Sequence, residues 1–284
     1  MAGLLSSGAA MRYSFGHAIY GRSRKPIPGV HSCPTSLHCG IPVSPNRKNL
    51  SMYVIITGAT KGIGRALVDR FAAEGAQLAL CARTAADVED LRAELRAAYP
   101  STELIAEAVD VTDRAALTAF AQQILQAWPQ VDVLINNAGG YRPGTVLDEP
   151  DGQLVDLLDL NLLSAYHLTR VIVPAMAQRG SGHIFNMCST ASHVPFAPGG
   201  SYGIAKYALY GFHQNLRDAL KTSGIKVTAV SPGPTWSASW AGVELPENRL
   251  MQAADVAAMI WQATQLSPTA VVEDILMRPQ LGDL

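Results

Sequence analysis

A phenol and an amine that could cooperate in proton transfer occur in the segment SYGIAK, as Tyr202 and Lys206. Their spacing of four places both side chains on one face of a helix, one turn from each other. Where both point into a cleft, the ammonium favours the phenolate and lowers the pKa of the tyrosine from about 10. Such a phenol is a general acid and base. The pair alone is more typical of an amphipathic helix whose lysine reaches solvent, so the surrounding elements decide its meaning.

Elements that would position this pair alternate between strand and helix from residue 52 onward. Short apolar segments predict strands, and all but the last are followed by a helical pattern. This order predicts an α/β fold, a doubly wound and mostly parallel seven-stranded sheet with helices on both faces, in one domain. Its ligand crevice would lie at the carboxyl ends of the strands. The predicted strands are 52–57, 77–82, 103–109, 131–136, 183–188, 225–231 and 270–276, and the helices are 63–75, 85–98, 113–128, 152–179, 200–222 and 253–265.

A glycine-rich segment, TGATKGIG at 57–64, joins the first predicted strand to the first helix. Glycines permit a tight turn and a close approach of the backbone to a ligand. The N-terminus of the following helix offers free N–H groups and the positive end of a dipole, which suit a pyrophosphate. We therefore predict that a dinucleotide contacts Gly58, Thr60, Lys61, Gly62, Ile63 and Gly64.

The end of the second strand indicates which dinucleotide is bound. Proteins that bind NAD place an acid there to hold the ribose 2′-hydroxyl. Here the segment is LCART at 80–84, and the next acid is Asp87. Arg83 can pair with a 2′-phosphate, and Lys61 can reach the same group. The sequence favours NADP(H) over NAD(H), with Arg83 and Thr84 at the adenosine ribose.

Charge and cysteine usage exclude several classes of function. Residues 1–51 hold six of the 22 basic residues and none of the 23 acids, so residues 52–284 carry a net charge of −7. An acidic body argues against nucleic acid or an anionic membrane as the main partner. The four cysteines show no metal-ligand spacing, which predicts no metal site and suits a reducing compartment. No apolar segment is long enough to predict a membrane span.

The first 51 residues differ in composition from the remainder and show no sustained periodicity, so we predict a disordered extension there. Three explanations stay open: translation that begins at Met52, an organelle transit peptide, or a functional tail. The catalytic domain would then span 52–284, in the cytoplasm or, with a transit peptide, in an organelle matrix.

With these motifs in place, residues 52–284 resemble the short-chain dehydrogenase/reductase family, in its short NADP-type form with a Rossmann fold. Ser189 precedes Tyr202 by 13 positions, which is the usual interval in that family. The shared motifs are Thr57-Gly58-x-x-x-Gly62-x-Gly64, Asp110-Val111, Asn136-Asn137-Ala138-Gly139, Asn161, Ser189, Tyr202-x-x-x-Lys206 and Pro232-Gly233.

The resemblance implies an oxidoreductase that transfers hydride between NADP(H) and a carbonyl or secondary alcohol. Tyr202 would be the general acid and base and Ser189 would orient the substrate oxygen. Lys206 would assist the tyrosine and bond the nicotinamide ribose, with a water on Asn161 behind it. Further cofactor contacts implied are Asp110, Val111, Asn137, Ala138, Gly139, Pro232, Gly233, Thr235 and Ser237.

The substrate is expected to be a small carbonyl or alcohol in an apolar pocket beside Ser189, lined by Tyr141, Trp236 and Trp240. The family commonly pairs the helices at 152–179 and 200–222 across a dyad, which implies a homodimer or homotetramer; burial inside the monomer is the rival explanation. A non-catalytic NADP(H)-binding sensor on the same fold is the alternative function.

Overall fold

A computed structural model describes residues 51–237, 240, 242–246 and 248–283. Its seven strands form one sheet in the order β3-β2-β1-β4-β5-β6-β7, and every neighbouring pair is parallel. The predicted doubly wound α/β sheet is therefore confirmed. The order reverses between β1 and β4, which places the ligand crevice where these two strands end. The prediction of a disordered extension concerns residues 1–51, which lie, apart from Ser51, outside the described residues.

The strands are β1 (Tyr53–Thr57), β2 (Gln77–Ala82), β3 (Leu104–Ala108), β4 (Val133–Asn136), β5 (Gly182–Met187), β6 (Ile225–Pro232) and β7 (Asp274–Met277). The helices are α1 (Gly62–Ala73), α2 (Ala85–Ala98), α3 (Arg114–Ala127), α4 (Gln153–Leu158), α5 (Ser164–Arg179), α6 (Gly200–Leu220) and α7 (Ala253–Thr264). A 3₁₀ turn, Thr190–Ser192, follows β5. Within the described residues, none of the helices is both long and apolar enough to cross a membrane.

Two hydrophobic cores cover the two faces of the sheet, because successive side chains of a strand point to opposite sides. In β1, Val54 and Ile56 pack with α1, α2 and α7, whereas Ile55 packs with α3 and α5 on the other face. Both faces are covered, which explains why the central strands read as continuous apolar runs. The crevice at the carboxyl edge is held on this rigid support.

The segment predicted as one helix, 152–179, is three pieces in the structure. Between α4 and α5 the chain forms a π-helical turn, Asp159–Leu163, in which Asn161 is buried. One extra residue per turn does not change apolar spacing enough to be visible in the sequence. Such π-turns occur frequently at functional sites, and this one carries a predicted site residue.

Candidate active site

Hydrogen bonds tie the loop after β4 to the glycine-rich loop after β1. The Asn137 side-chain amide donates to the carbonyls of Thr57 and Gly58, at 2.8 and 3.1 Å. In return, the Thr57 hydroxyl accepts the backbone N–H groups of Asn137 and Ala138, at 3.1 and 2.9 Å. Two loops from distant parts of the chain therefore form one rigid floor at the point where the strand order reverses.

The glycine-rich loop has backbone conformations and close contacts that only glycine accommodates. Gly58 and Gly62 have φ angles of 66° and 55°, which favour glycine. A Cβ on Gly64 would lie 2.0 Å from the carbonyl oxygen of Gly58, so no side chain fits there. Lys61, the N-cap of α1, makes no side-chain capping bond, and the first turn holds no acid. The first N–H groups of α1 are thus available to an anion, and the residues present fit a dinucleotide.

Near the end of β2, the two cations predicted to bind a 2′-phosphate, Lys61 and Arg83, differ in their partners. Lys61 forms an ion pair of 2.7 Å with Asp87, and this pairing holds the pKa of Asp87 below its ordinary value. Arg83 is exposed and makes no hydrogen bond or ion pair with another residue of the part that the structure describes. Asp87 offsets the charge of Lys61 at close range, whereas Arg83 interacts with the carboxylate of Asp110 only at longer range, so the charge of Arg83 is the less neutralised of the two. Thr84, next to it, is the N-cap of α2.

Asp110 and Val111, which the family resemblance implies as cofactor contacts, lie after β3. Asp110 accepts the backbone N–H and the hydroxyl of Thr112, at 3.0 and 2.7 Å, and these bonds lower its pKa. Asp110 is not the cap of α3, because Asp113 accepts the N–H groups of the first turn at 2.9 and 3.1 Å. Val111 is buried. Asp110 is therefore held in a tight turn and is not needed to cap a helix.

The chain after β6 returns over the glycine-rich loop. A Cβ on Gly62 would lie 3.3 Å from the Cβ of Ser237. The start of this segment is fixed: Gly233 donates its N–H to Met277 at 2.8 Å, and the Thr235 hydroxyl donates to the Gly233 carbonyl at 2.9 Å. The segment with the predicted cofactor contacts Pro232, Gly233, Thr235 and Ser237 therefore reaches the glycine-rich loop at Ser237.

Ser189 and Lys206 are joined through the 3₁₀ turn after β5. The Ser189 hydroxyl oxygen accepts the N–H of Ala191 at 3.1 Å, so its proton remains available for another acceptor. The Ser192 hydroxyl accepts the N–H of Ser189 and donates to the carbonyl of Lys206, at 3.2 and 2.9 Å. This capping box fixes the turn against α6, the helix that carries Tyr202.

Lys206 extends behind Tyr202 into the protein. Its ammonium donates to the Met187 carbonyl at 2.8 Å and lies 5.8 Å from the centroid of the Tyr202 ring. The lysine is 5% exposed, whereas Tyr202 is half-buried at the edge of the crevice. The two side chains share one face of α6, as their spacing predicts, and do not lie in solvent.

The side chains of Asn161 and Lys206 both lie next to Gly139. A Cβ on Gly139 would lie 2.7 Å from Oδ1 of Asn161 and 3.3 Å from Nζ of Lys206. The Asn161 amide donates to the carbonyls of Gly140 and Leu157, both at 3.0 Å, and its Oδ1 accepts the N–H of Gly140 at 3.1 Å. Asn161 fixes the loop after β4, and its role in holding a water stays a prediction.

The prediction that Lys206 lowers the pKa of Tyr202 is wrong for this structure. Burial raises the pKa of Tyr202, and hydrogen bonding with Ser189 opposes this only in part. Burial also lowers the pKa of Lys206 to about 8. A low-dielectric site disfavours both charged forms, and burial is the largest cause of each pKa shift. Tyr202 is therefore a neutral phenol at neutral pH, which is the form that donates a proton.

A buried lysine with a lowered pKa makes stability depend on pH. Below pH 8 the folded protein carries the full penalty of the buried charge; between about 8 and 10.5 the folded lysine loses its proton while the unfolded one keeps it. Stability relative to Lys206→Met should therefore rise with pH, by about 2 to 3 kcal/mol between pH 7 and pH 10. Urea unfolding of both proteins at the two pH values measures this, and an unchanged difference would contradict it.

Aromatic side chains form a wall beside Tyr202. The Tyr141 ring meets the Tyr202 ring edge to face at 5.2 Å, and Phe196 lies 6.0 Å from Tyr141. The predicted position of Tyr141 at the substrate side agrees with this geometry. Trp236 and Trp240 are half-buried in the segment after β6, and their backbone N–H groups donate to Met251 and Ser237. Their contact with substrate stays a prediction.

Two structural roles were missed in the sequence. Ser192 joins the Ser189 turn to α6, and the Met187 carbonyl anchors Lys206. A serine directly after a strand is a common cap, but the bond from Ser192 to the Lys206 carbonyl joins residues 14 positions apart and has no pattern in the sequence. A backbone carbonyl as partner leaves no trace in residue types, so the second could not be found.

Comparisons with known proteins agree with this geometry. Residues 52–247 match the family model of the short chain dehydrogenases, so the chain belongs to this family of oxidoreductases. Sepiapterin reductase of Chlorobaculum tepidum is 32% identical over 239 residues, which cover 81% of this chain and 97% of that protein. The NADP-dependent 3-hydroxy acid dehydrogenase YdfG of Escherichia coli (strain K12) is 32% identical over 185 residues, 64% of this chain and 72% of that protein.

A solved structure extends the comparison. A metagenomic short-chain oxidoreductase in complex with NADP is 29% identical, with a TM-score of 0.70 over 81% of this chain and 98% of that chain. The fold and the family are thus established by three features together: the strand order, the glycine-rich loop and the matched relatives.

Proposed function

We propose that this protein is an NADP(H)-dependent oxidoreductase that interconverts a small carbonyl compound and its alcohol, with Tyr202 as general acid and base. The observation that carries the proposal is the convergence of Ser189, Tyr202 and Lys206 at the carboxyl edge of the sheet. They lie beside a loop whose glycines and open helix N-terminus suit a dinucleotide.

In carbonyl reduction, residues of this chain stabilise and then protonate the negative charge that develops on the substrate oxygen. The Ser189 hydroxyl, whose oxygen already accepts from Ala191, donates a hydrogen bond to that oxygen, keeps its proton and stabilises the charge that develops there. Tyr202, neutral at neutral pH, transfers its proton to the same oxygen. The Lys206 ammonium is held behind the phenol by the Met187 carbonyl and stabilises the phenolate that remains.

NADP(H) would be held by the glycine-rich loop and the N-terminus of α1 at the pyrophosphate, and by Arg83 at the 2′-phosphate. When bound, it supplies the hydride and the oxidising equivalent of the reverse reaction. The name of the Escherichia coli relative and the NADP complex of the metagenomic relative support this cofactor.

We expect Arg83→Ala to weaken NADPH binding by about tenfold or more, since a bond between charged groups is worth about 1.5 to 3 kcal/mol, and to leave NADH binding nearly unchanged. Calorimetric titration with both cofactors measures the effect. Arg96→Ala is the matched control, because Arg96 is an exposed arginine of α2 away from the crevice. Equal affinities of the wild type for NADPH and NADH would contradict the assignment.

The substrate side favours a carbonyl with an apolar or planar substituent. Tyr141 and Phe196 offer ring surface next to the proton donor, and aromatic walls of this kind contact apolar groups. Arg142, which directly follows Tyr141 in the sequence, forms an ion pair of 2.6 Å with Asp156 on the surface. A substrate carboxylate would have to compete with that pair, so a neutral carbonyl is the better match.

A spectrophotometric screen tests the proposal. Aldehydes, ketones and 3-oxo esters are offered with NADPH, and alcohols and 3-hydroxy acids with NADP, while absorbance of the reduced cofactor is followed. Turnover of a neutral aryl or alkyl carbonyl is expected, with little turnover of its carboxylated analogue. Binding of NADPH without turnover of any compound would favour a non-catalytic sensor instead.

We further propose a homodimer or homotetramer. In the segment predicted as the helix 152–179, Leu157 and Leu168 are buried within the monomer. Burial inside the monomer, and not contact with a second copy, therefore explains why these two residues are apolar. Ile204 and Tyr207 on α6 are exposed by 43% and 44% and offer an apolar face to a second copy. Light scattering with size-exclusion chromatography decides between monomer and oligomer.

The compartment remains a proposal as well. Cys81 and Cys188 are buried free thiols in the described part of the chain. Burial raises the pKa of both to about 12, so neither is a reactive thiolate. Free thiols of this kind support a reducing compartment, the cytoplasm or an organelle matrix.

A further inference from the structure

Helix α6, which carries Tyr202 and Lys206, begins without a cap from its own sequence. Its N-cap residue is Gly199, which has no side chain to accept the free backbone N–H groups, and its first turn contains no acid. A helix that starts this way leaves donors and a positive dipole end without compensation. The missing acceptor is supplied from elsewhere in the chain.

The carboxylate of Glu149 takes the place of the cap. It accepts the backbone N–H of Ser201 at 3.1 Å and also the Ser201 hydroxyl, from a position 52 residues earlier in the chain. Gln153 of α4 donates to the same carboxylate at 3.1 Å. Ser201 is fully buried, and its hydrogen bonds hold the pKa of Glu149 below the ordinary value, so the group is ionised at neutral pH.

The loop that ends at Glu149, residues 141–149, also contacts the segment before α6. The Tyr141 hydroxyl and the Gly144 N–H both donate to the Pro198 carbonyl at 3.0 Å, and Gly200 donates its N–H to Gly144 at 2.9 Å. At its other end this loop places the Tyr141 ring against the Tyr202 ring. The loop therefore holds the phenol from two sides, at the backbone through Ser201 and at the ring through Tyr141.

We propose that Glu149 is a positioning residue for Tyr202, an inference that rests on the proposed role of Tyr202 as general acid. Ser201 directly precedes Tyr202, so a shift of the helix start moves the phenol relative to Ser189 and the substrate oxygen. A displacement of about 1 Å can reduce a rate about 10²-fold. Glu149 makes none of its described contacts with the pyrophosphate loop, so its loss should reduce turnover and spare cofactor binding.

The test compares Glu149→Ala, Glu149→Gln and the control Asp151→Asn, which removes a nearby exposed carboxylate. We expect kcat to fall about 10- to 100-fold in Glu149→Ala, with NADPH affinity within about twofold of wild type. Glu149→Gln keeps an acceptor oxygen and should recover part of the loss. Hydrogen exchange of the peptide 199–204 should be faster in Glu149→Ala and unchanged in Asp151→Asn.

A double-mutant cycle with Ser201→Ala separates positioning from general damage. Ser201→Ala removes the hydroxyl and keeps the backbone N–H, so the two losses in kcat will be less than multiplicative to the extent that Glu149 acts through the hydroxyl. Wild-type kcat in Glu149→Ala, or an equal loss of kcat and of NADPH affinity, would overturn the inference while Tyr202→Phe could still be inactive. An inactive wild type would instead reject the proposed function. If Glu149→Ala does not fold, kcat and NADPH affinity are compared instead in Glu149→Gln, Ser201→Ala and their double mutant.

Discussion

Replacement of Tyr202 by phenylalanine is expected to lower kcat by about 10³-fold, because it removes the proton donor and leaves the ring. The ring keeps its contact with Tyr141. The glycine-rich loop joins β1 to α1 and does not belong to α6, so NADPH should bind with nearly unchanged affinity. Steady-state kinetics on the substrate found in the screen, together with a calorimetric NADPH titration, measure the two quantities.

Tyr207→Phe is the matched control for this variant. Tyr207 lies on the same helix, is exposed, and its hydroxyl makes no hydrogen bond to another residue in the part of the chain described by the structure. Phenylalanine keeps the apolar ring that we propose faces a second copy, so this variant should leave the oligomer unchanged. It should keep wild-type activity. Retained activity in Tyr202→Phe would remove this residue as the general acid, and equal losses in both variants would point to damage of α6.

Replacement of Gly64 by alanine is expected to weaken NADPH binding at least about tenfold and to lower the free energy of unfolding by about 1 to 3 kcal/mol. The added Cβ would lie 2.0 Å from the Gly58 carbonyl oxygen and 2.6 Å from the Asn137 amide nitrogen. Either the glycine-rich loop or the Asn137 bridge must move. Both changes disturb the floor on which the pyrophosphate would rest.

Gly211→Ala provides the comparison, since a Cβ at Gly211 of α6 meets no atom within 4 Å. Alanine favours a helix over glycine by about 0.5 to 1 kcal/mol, so this variant should be neutral or slightly more stable. Urea unfolding and NADPH titration of the two alanine variants measure the contrast. Normal NADPH affinity in Gly64→Ala would mean that this loop does not hold the cofactor.

The sequence predicted most of the fold because its signals are local. The bounds of β2 and α2 agree with the prediction to the residue, since an apolar run and a polar helical pattern meet at Arg83 and Thr84. The glycine-rich loop and the pair Tyr202 and Lys206 followed from motif spacing, whereas Asn161 and Ser189 were implied by the resemblance to the family. Features that depend on one residue's own chemistry were therefore accessible.

Features that depend on tertiary contacts could not be predicted from the sequence. The π-turn around Asn161 leaves no change in apolar spacing, and the Glu149 cap joins residues 52 positions apart. The direction of the Tyr202 pKa was predicted wrongly because the sequence gives the distance between two charges but not how deeply both are buried. Burial decides between attraction and desolvation, and only the fold supplies it.

We propose that a carbonyl is reduced beside Tyr202 with hydride from NADPH. The most direct measurement is the isotope content of the alcohol formed from NADPH deuterated at both C4 positions of the nicotinamide. We predict one deuterium on the carbinol carbon of the wild-type product and no labelled alcohol above background from Tyr202→Phe. Unlabelled product from the wild type, or labelled product formed equally fast by Tyr202→Phe, would contradict the account.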